Sequence, residues 1–163
     1  MITFKHNIPL EQTMQFEKIF AVELQMDLGE KIQLLESGAD FLYLEEDGQL
    51  ISETYYIPLK MVIDDFEKEG QKETGLDVFM EDADKIMYVH SLATMPNFQK
   101  RGYGSLIKSY FLGEMYARGY KKIIGHAKKQ SIGINKKFGA EVICEIKDWY
   151  GTGESVWLYK IEL

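Results

Sequence analysis

Residues 97–105 read NFQKRGYGS, two glycines one residue apart behind two cations. Before them, residues 85–95 (KIMYVHSLATM) form a nearly continuous apolar and β-branched run that predicts a central strand, closed by Pro96. After them, Tyr103, Leu106, Ile107, Tyr110, Phe111 and Met115 recur on a helical period from Gly102 to Arg118, with Gly119 as the stop. A strand, a glycine turn and a long helix put unpaired helix-start amides where small residues let an anion approach, which is how a phosphate cradle is built. A dinucleotide fingerprint would need a third glycine in GxGxxG after the first strand, and a Walker loop would need GKS or GKT; both are missing.

The length of 163 residues predicts one domain, residues 1–163, able to hide roughly 68–70% of its extended surface. MITFKHN lacks an apolar stretch of signal-peptide length, and no segment approaches the roughly 20 apolar residues of a membrane helix. The expectation is a cytoplasmic protein with no membrane partner. Cys144 stands alone, so no internal disulfide can form, and the absence of clustered Cys or His predicts no metal. A net charge of −7 argues against a nucleic-acid partner. That charge is uneven. Residues 61–84 carry nine carboxylates against two lysines, whereas residues 99–137 carry ten cations against Glu114 alone.

Working outward, ITFK alternates as a short strand, and Pro9 opens a helix with apolar positions Leu10, Met14, Phe16, Ile19, Phe20 and Leu24. A second helix is predicted from Asp27 to Glu36, ending near Gly38. Residues 40–57 read as two strands joined at Asp47-Gly48. A helix near Leu59 to Glu69 and a loop from Gly70 to Gly75, mobile by its composition, occupy the acidic stretch. Beyond Gly119, KKIIGHA predicts a second central strand, Ser131 to Phe138 a short helix stopped by Gly139, and AEVICEIK and ESVWLYKIEL two strands linked by DWYGTG.

The turn resembles the Q/R-x-x-G-x-G/A signature of the GNAT superfamily of acyl-CoA N-acetyltransferases, matched by Gln99, Gly102 and Gly104. The predicted element order is similar to that family's through nearly the whole chain, with residues 85–145 carrying most of the likeness and 61–84 resembling an insertion. The resemblance implies an α/β (in some schemes α+β) GNAT fold, a mixed central sheet of about seven strands with splayed central strands, flanked by about four helices. It also implies acetyl-CoA as co-substrate. Leu92, Ala93 and Thr94 take the strand positions whose backbone pairs with the pantetheine arm, which is compatible with their being ordinary sheet core. Gln99, Lys100, Arg101, Gly102, Tyr103, Gly104 and Ser105 would hold the pyrophosphate; Lys100 and Arg101 read alternatively as a solvated turn.

Amide formation needs a base for the amine's proton and a donor for the developing oxyanion. His90 is the leading base. Strand alternation puts it on one face with Tyr88, Leu92 and Thr94, and it falls where arylalkylamine N-acetyltransferases carry a proton-shuttling histidine. The competing reading is a hydrogen-bonded core histidine. His126, at the end of the next central strand, is a second candidate, with a structural role favoured. Many GNAT enzymes place an acid tyrosine four residues before the helix-ending glycine, and this chain has Asn135 there, assigned instead to coenzyme A contact. Tyr150 is the substitute acid or, with Trp149, an acceptor-pocket wall or a cover for the sheet end. Glu53 either binds a cationic acceptor or pairs with a surface lysine, and Tyr88 is assigned to the acceptor side. The acceptor is a small-molecule or protein amine, and the protein a monomer or homodimer. Two other readings stay open: a catalytically silent acyl-CoA-binding module and a protein-interaction domain docking through its acidic segment.

Overall fold

The computed structural model describes residues 1–20 and 22–163, with side chains for these save Glu23 and Glu67. Asp47 and Gly48 both take left-handed backbone, φ 51° and 85°, as a two-residue hairpin turn matched to strand twist requires. They join β2 (Asp40–Glu46) to β3 (Gln49–Pro58), and β1 (Ile2–Lys5) pairs antiparallel along β2 from Ile2↔Glu46 to Lys5↔Tyr43. β4 (Ile86–Thr94) and β5 (Lys122–Ala127) are the predicted central strands, followed by β6 (Glu141–Ile146) and β7 (Val156–Glu162). Among the described residues these seven strands form one sheet in the order β1-β2-β3-β4-β5-β7-β6. It is mixed: β4 and β5 are parallel, whereas β7 is antiparallel to both β5 and β6.

The β4–β5 ladder runs from Ile86↔Lys122 to Val89↔Gly125 and ends there, while β4 continues through His90 to Thr94.

The described residues include five α-helices: α1 (Leu10–Thr13), α2 (Leu28–Glu36), α3 (Leu59–Lys68), α4 (Tyr103–Ala117) and α5 (Lys129–Lys137). The helix expected to run from Pro9 to Leu24 is instead one α-turn followed by a 3-10 segment, Met14–Ile19, and a second, Val22–Leu24; Ala21 lies outside the described residues. Tertiary bonds override the periodicity here, because the tighter winding buries Phe16 and Glu17 together and lets the Glu17 carboxylate accept the Met26 amide at 2.8 Å. α2 starts on a full capping box, with Asp27 accepting from Glu30 N and the Glu30 carboxylate accepting from Asp27 N.

The chain divides into two compact units. One comprises Met1–Tyr56 with Ser91–Phe111, the other Ile57–His90 with Leu112–Leu163. The first is centred on Phe16, Phe41, Tyr43, Leu50 and Ala93. In the second, Leu59, Val62, Leu76, Ile123, Ile124, Leu158 and Ile161 are buried. The segment from Gly70 to Gly75, expected to be mobile, is tied down at several points. Gln71 N donates to Phe66 O at 2.9 Å, and a Cβ on Gly75 (φ 72°) would stand 3.0 Å from both Cys144 Sγ and Leu158 Cδ2. Gln71 is buried and bonded, whereas Lys72 and Glu73 are exposed, so only part of the segment's polar composition is solvated.

Among the described residues no helix is long and apolar enough to cross a membrane, and no group of three or more His, Cys, Asp or Glu is placed to hold a metal.

Candidate functional site

In the first unit, the glycine turn follows β4 through a short 3-10 segment, Pro96–Phe98. Gly102 sits at φ 91°, a left-handed conformation that glycine adopts freely, and its carbonyl accepts the Leu106 amide at 3.0 Å, the first bond of α4. The amides of Tyr103, Gly104 and Ser105 precede that bond and lie at the positive end of a 15-residue helix. A Cβ on Gly102 would meet nothing within 4 Å beyond its chain neighbours, so the space beside Gly102 itself is open.

Three interactions hold the turn. Gln99 Nε2 donates to Thr94 O at 3.0 Å, fixing it to the end of β4. The Tyr103 hydroxyl donates to Glu46 Oε2, fixing it to the β2–β3 hairpin. The Arg101 guanidinium lies 5.3 Å from the Phe98 ring and 5.6 Å from the Tyr103 ring, so this cation has a preferred direction, unlike that of a freely solvated turn. Lys100 is exposed at φ 60°. The last residues of β4 are braced by β3: Thr54 Oγ1 donates to Ser91 O at 2.7 Å, and the Ser52 and Thr94 hydroxyls are 2.9 Å apart. Leu92 and Thr94 are half-buried and Ala93 is buried.

Glu53 is in the interior. It is fully buried, and Lys31 Nζ donates to its Oε2 at 3.0 Å and to Thr13 Oγ1 at 3.2 Å, while lying 3.1 Å from Glu17 Oε1. Burial, only partly offset by Lys31, pushes the Glu53 carboxyl up to about 7. The buried Tyr43 phenol is raised by burial and then by the Glu53 charge. The surface lysine proposed as partner is therefore the buried Lys31, and a carboxylate with no exposed surface does not contact an acceptor in this conformation. Thr13, Glu17, Lys31 and Tyr43 were not anticipated. The available signal is Lys31 itself, which falls on the apolar stripe of α2 between Leu28 and Leu35 at helical spacing. Replacing Lys31 with Met would leave two buried carboxylates uncompensated and is expected to cost about 3–5 kcal/mol, read from the urea midpoint.

In the second unit, six rings converge. Phe66 of α3 lies with its centroid 5.6 Å from Tyr88, 6.0 Å from His90, 5.8 Å from His126, 5.5 Å from Trp149 and 6.3 Å from Tyr150. The Tyr88 hydroxyl is 2.7 Å from His126 Nδ1, and His126 Nε2 is 2.7 Å from Thr74 O. A carbonyl can only accept, so Nε2 carries the proton and Nδ1 accepts from Tyr88. Burial lowers the His126 pKa to about 4, against a smaller raising by the Thr74 carbonyl. With both nitrogens engaged and the ring neutral, His126 is placed to orient Tyr88. Half-buried His90, 4.9 Å from Tyr88 between ring centroids, is lowered to about 3, by burial first and then by His126. It too is neutral at physiological pH.

The Trp149 ring lies 4.4 Å from His126 between centroids, tilted by 33°, and Tyr150 donates its hydroxyl to Glu69 Oε2. Asn135, buried in α5, spends its side-chain amide on Ser131 O at 3.1 Å, one turn back, while its carbonyl receives the amides of Phe138 and Ala140. These bonds give it a helix-ending role at the position assigned to coenzyme A contact.

No protein-family model and no curated protein matches the chain. Solved structures match it along its length. Ribosomal-protein-S18-alanine N-acetyltransferase from Escherichia coli aligns at a TM-score of 0.73 with 10% identity, over 99% of this chain and 94% of that one. Agmatine N-acetyltransferase aligns at 0.73 with 13% identity over 100% of both. A GNAT family acetyltransferase from Elizabethkingia anophelis, solved with acetyl-CoA bound, aligns at 0.65 with 14% identity over 99% of this chain and 98% of that one. At such identities the likeness is one of backbone, and what it establishes is that this chain has the fold of the GNAT acetyltransferases.

Proposed function

We propose that the chain is a cytoplasmic N-acetyltransferase, working as one domain, that moves an acetyl group from acetyl-CoA to a primary amine by direct attack in a ternary complex. The observation that carries this reading is the glycine turn. An open Cβ position at Gly102, three helix-start amides and a ring-held Arg101 suit a pyrophosphate, in a fold whose solved representatives include one with acetyl-CoA bound. Acetyl-CoA, when bound, supplies an activated thioester carbonyl.

The chain's own residues would do the rest. Gln99 to Ser105 hold the diphosphate, and the main chain of Leu92 to Thr94, the last residues of β4, pairs with the pantetheine arm. His90, neutral and on the same strand, takes the proton that the nitrogen loses as the amide forms. Tyr150 and Trp149 contribute the acceptor side, with Tyr88 held in place by His126. The solved relatives' names specify a ribosomal protein and agmatine, so small-molecule and protein amines are both reasonable probes.

Incubation with acetyl-CoA and agmatine, spermidine or an alanine-terminated peptide is expected to release coenzyme A thiol in proportion to acetylated amine, measured by thiol titration and mass spectrometry. Coenzyme A binding by calorimetry without turnover of any amine would favour the silent binding module.

A further inference from the structure

The acidic segment has no part in that reaction, yet it supplies bonds to residues that do. The link between β6 and β7 contains two non-glycine residues in left-handed backbone, Asp148 (φ 52°) and Tyr150 (φ 53°). Such conformations are disfavoured and persist only where the surroundings fix them. Asp148 is fixed within the link, its Oδ1 accepting the Gly153 amide at 2.7 Å and its carbonyl the Gly151 amide at 3.0 Å. Tyr150 is held from outside: its amide donates to Gln71 Oε1 at 2.8 Å and its hydroxyl to Glu69 Oε2.

Gln71 is built for this purpose. It is a buried polar side chain in a segment otherwise rich in exposed carboxylates, and both ends of its amide are committed, Oε1 to Tyr150 N and Nε2 to Glu73 O at 2.7 Å. Three residues on, the Thr74 carbonyl sets the tautomer of His126, against which Trp149 packs with its ring tilted. One short stretch therefore holds both the Trp149–Tyr150 pair and the ring beneath it.

We propose that Gln71 is a positioning residue that, through the backbone of Tyr150, sets the placement of Trp149 and Tyr150 and with it the recognition of the amine acceptor. The recognition part rests on the acetyl-transfer reading; the placement does not.

The test uses Gln71→Met, which keeps length but removes the acceptor, and Gln71→Glu, which restores an oxygen for the Tyr150 amide. Both are made in a Trp157→Phe background, where Trp149 is the sole tryptophan. Gln71→Met is expected to shift Trp149 emission to the red and increase its quenching by acrylamide, with Gln71→Glu, which keeps an acceptor for Tyr150 N but loses the donor to Glu73 O, intermediate. With agmatine as probe amine, Gln71→Met is expected to raise the amine KM roughly tenfold, the order of one lost bond to a buried amide, leaving the acetyl-CoA KM unchanged. If Gln71→Met does not fold, Gln71→Asn, one methylene too short to reach, should give the same changes.

Unchanged Trp149 emission and quenching in a folded variant that has only lost thermal stability would overturn the proposal, as would equal rises in both KM values. If no amine is acetylated by the parent, the proposed activity fails, and the Trp149 signal alone decides whether Gln71 positions the link.

Discussion

Gly102→Asp is expected to abolish measurable acetyl-CoA binding while the protein stays folded. At φ 91° most residues would be strained, but aspartate tolerates left-handed backbone better than most because its short side chain bonds locally. Its Cβ has nothing within 4 Å to collide with. The fold should therefore lose no more than about 1–2 kcal/mol. Binding should suffer far more, because the carboxylate would stand beside the amides of Tyr103, Gly104 and Ser105, taking their hydrogen bonds and repelling the incoming phosphates. Losing two bonds to charged groups, at about 1.5–3 kcal/mol each, already corresponds to roughly 10²–10⁴ in affinity. Gly102→Ala carries the backbone strain without the charge and should bind with only a modest loss. Calorimetry on both variants, with thermal melts as control for folding, separates the causes; a folded Gly102→Asp that binds normally would remove the phosphate cradle and with it the proposed reaction.

The features legible in the sequence are those specified over a few neighbouring residues. Asp47-Gly48 needs two left-handed positions, which that pair supplies, and the turn formed as expected. The run before Pro96 and the period after Gly102 each encode one element with its own stop, and β4 and α4 end within a residue or two of the expected places. What was not legible depends on partners distant in sequence. Lys31 is buried because Glu17, Thr13 and Glu53 meet it, Gln71 is ordered because Tyr150 needs an acceptor 79 residues away, and His126 is committed by a carbonyl 52 residues before it. Composition marked the Gly70–Gly75 stretch as mobile because it counts polar atoms without showing where they bond. Lys108 of α4 follows the same rule as Lys31: a lysine on an apolar helical face, almost fully buried, whose ammonium burial lowers to about 7. Cations at core-spaced positions, beside the histidine of the central strand, are the sequence signs of interior polar chemistry.

His90→Gln is expected to lower turnover by roughly 10²–10⁴, the usual worth of a positioned acid or base, with coenzyme A binding retained. From sequence, the direction of its pKa was open, since burial would lower it and the acidic segment raise it. In the structure burial dominates, assisted by His126, and the pKa falls to about 3. The sign has a consequence for the rate. A base lowered so far is already neutral throughout pH 5–9, so its own titration leaves no limb in that range. It is also too weak to deprotonate a free alkylammonium, whose pKa is about 10. The amine must therefore arrive neutral, and His90 receives only the much more acidic proton released as nitrogen bonds to carbon. The rate should rise with pH along the amine's own titration, and the profiles of the parent and of His90→Gln should run parallel, the deficit persisting where the amine is fully neutral. A deficit that closes at high pH would mean that His90 deprotonates the free amine and that its pKa in the working complex is near the ordinary value. No deficit at any pH would make it a core histidine. Measuring kcat/KM for agmatine against pH from about 5 to about 11 for both proteins, with acetyl-CoA at saturation, distinguishes the three outcomes.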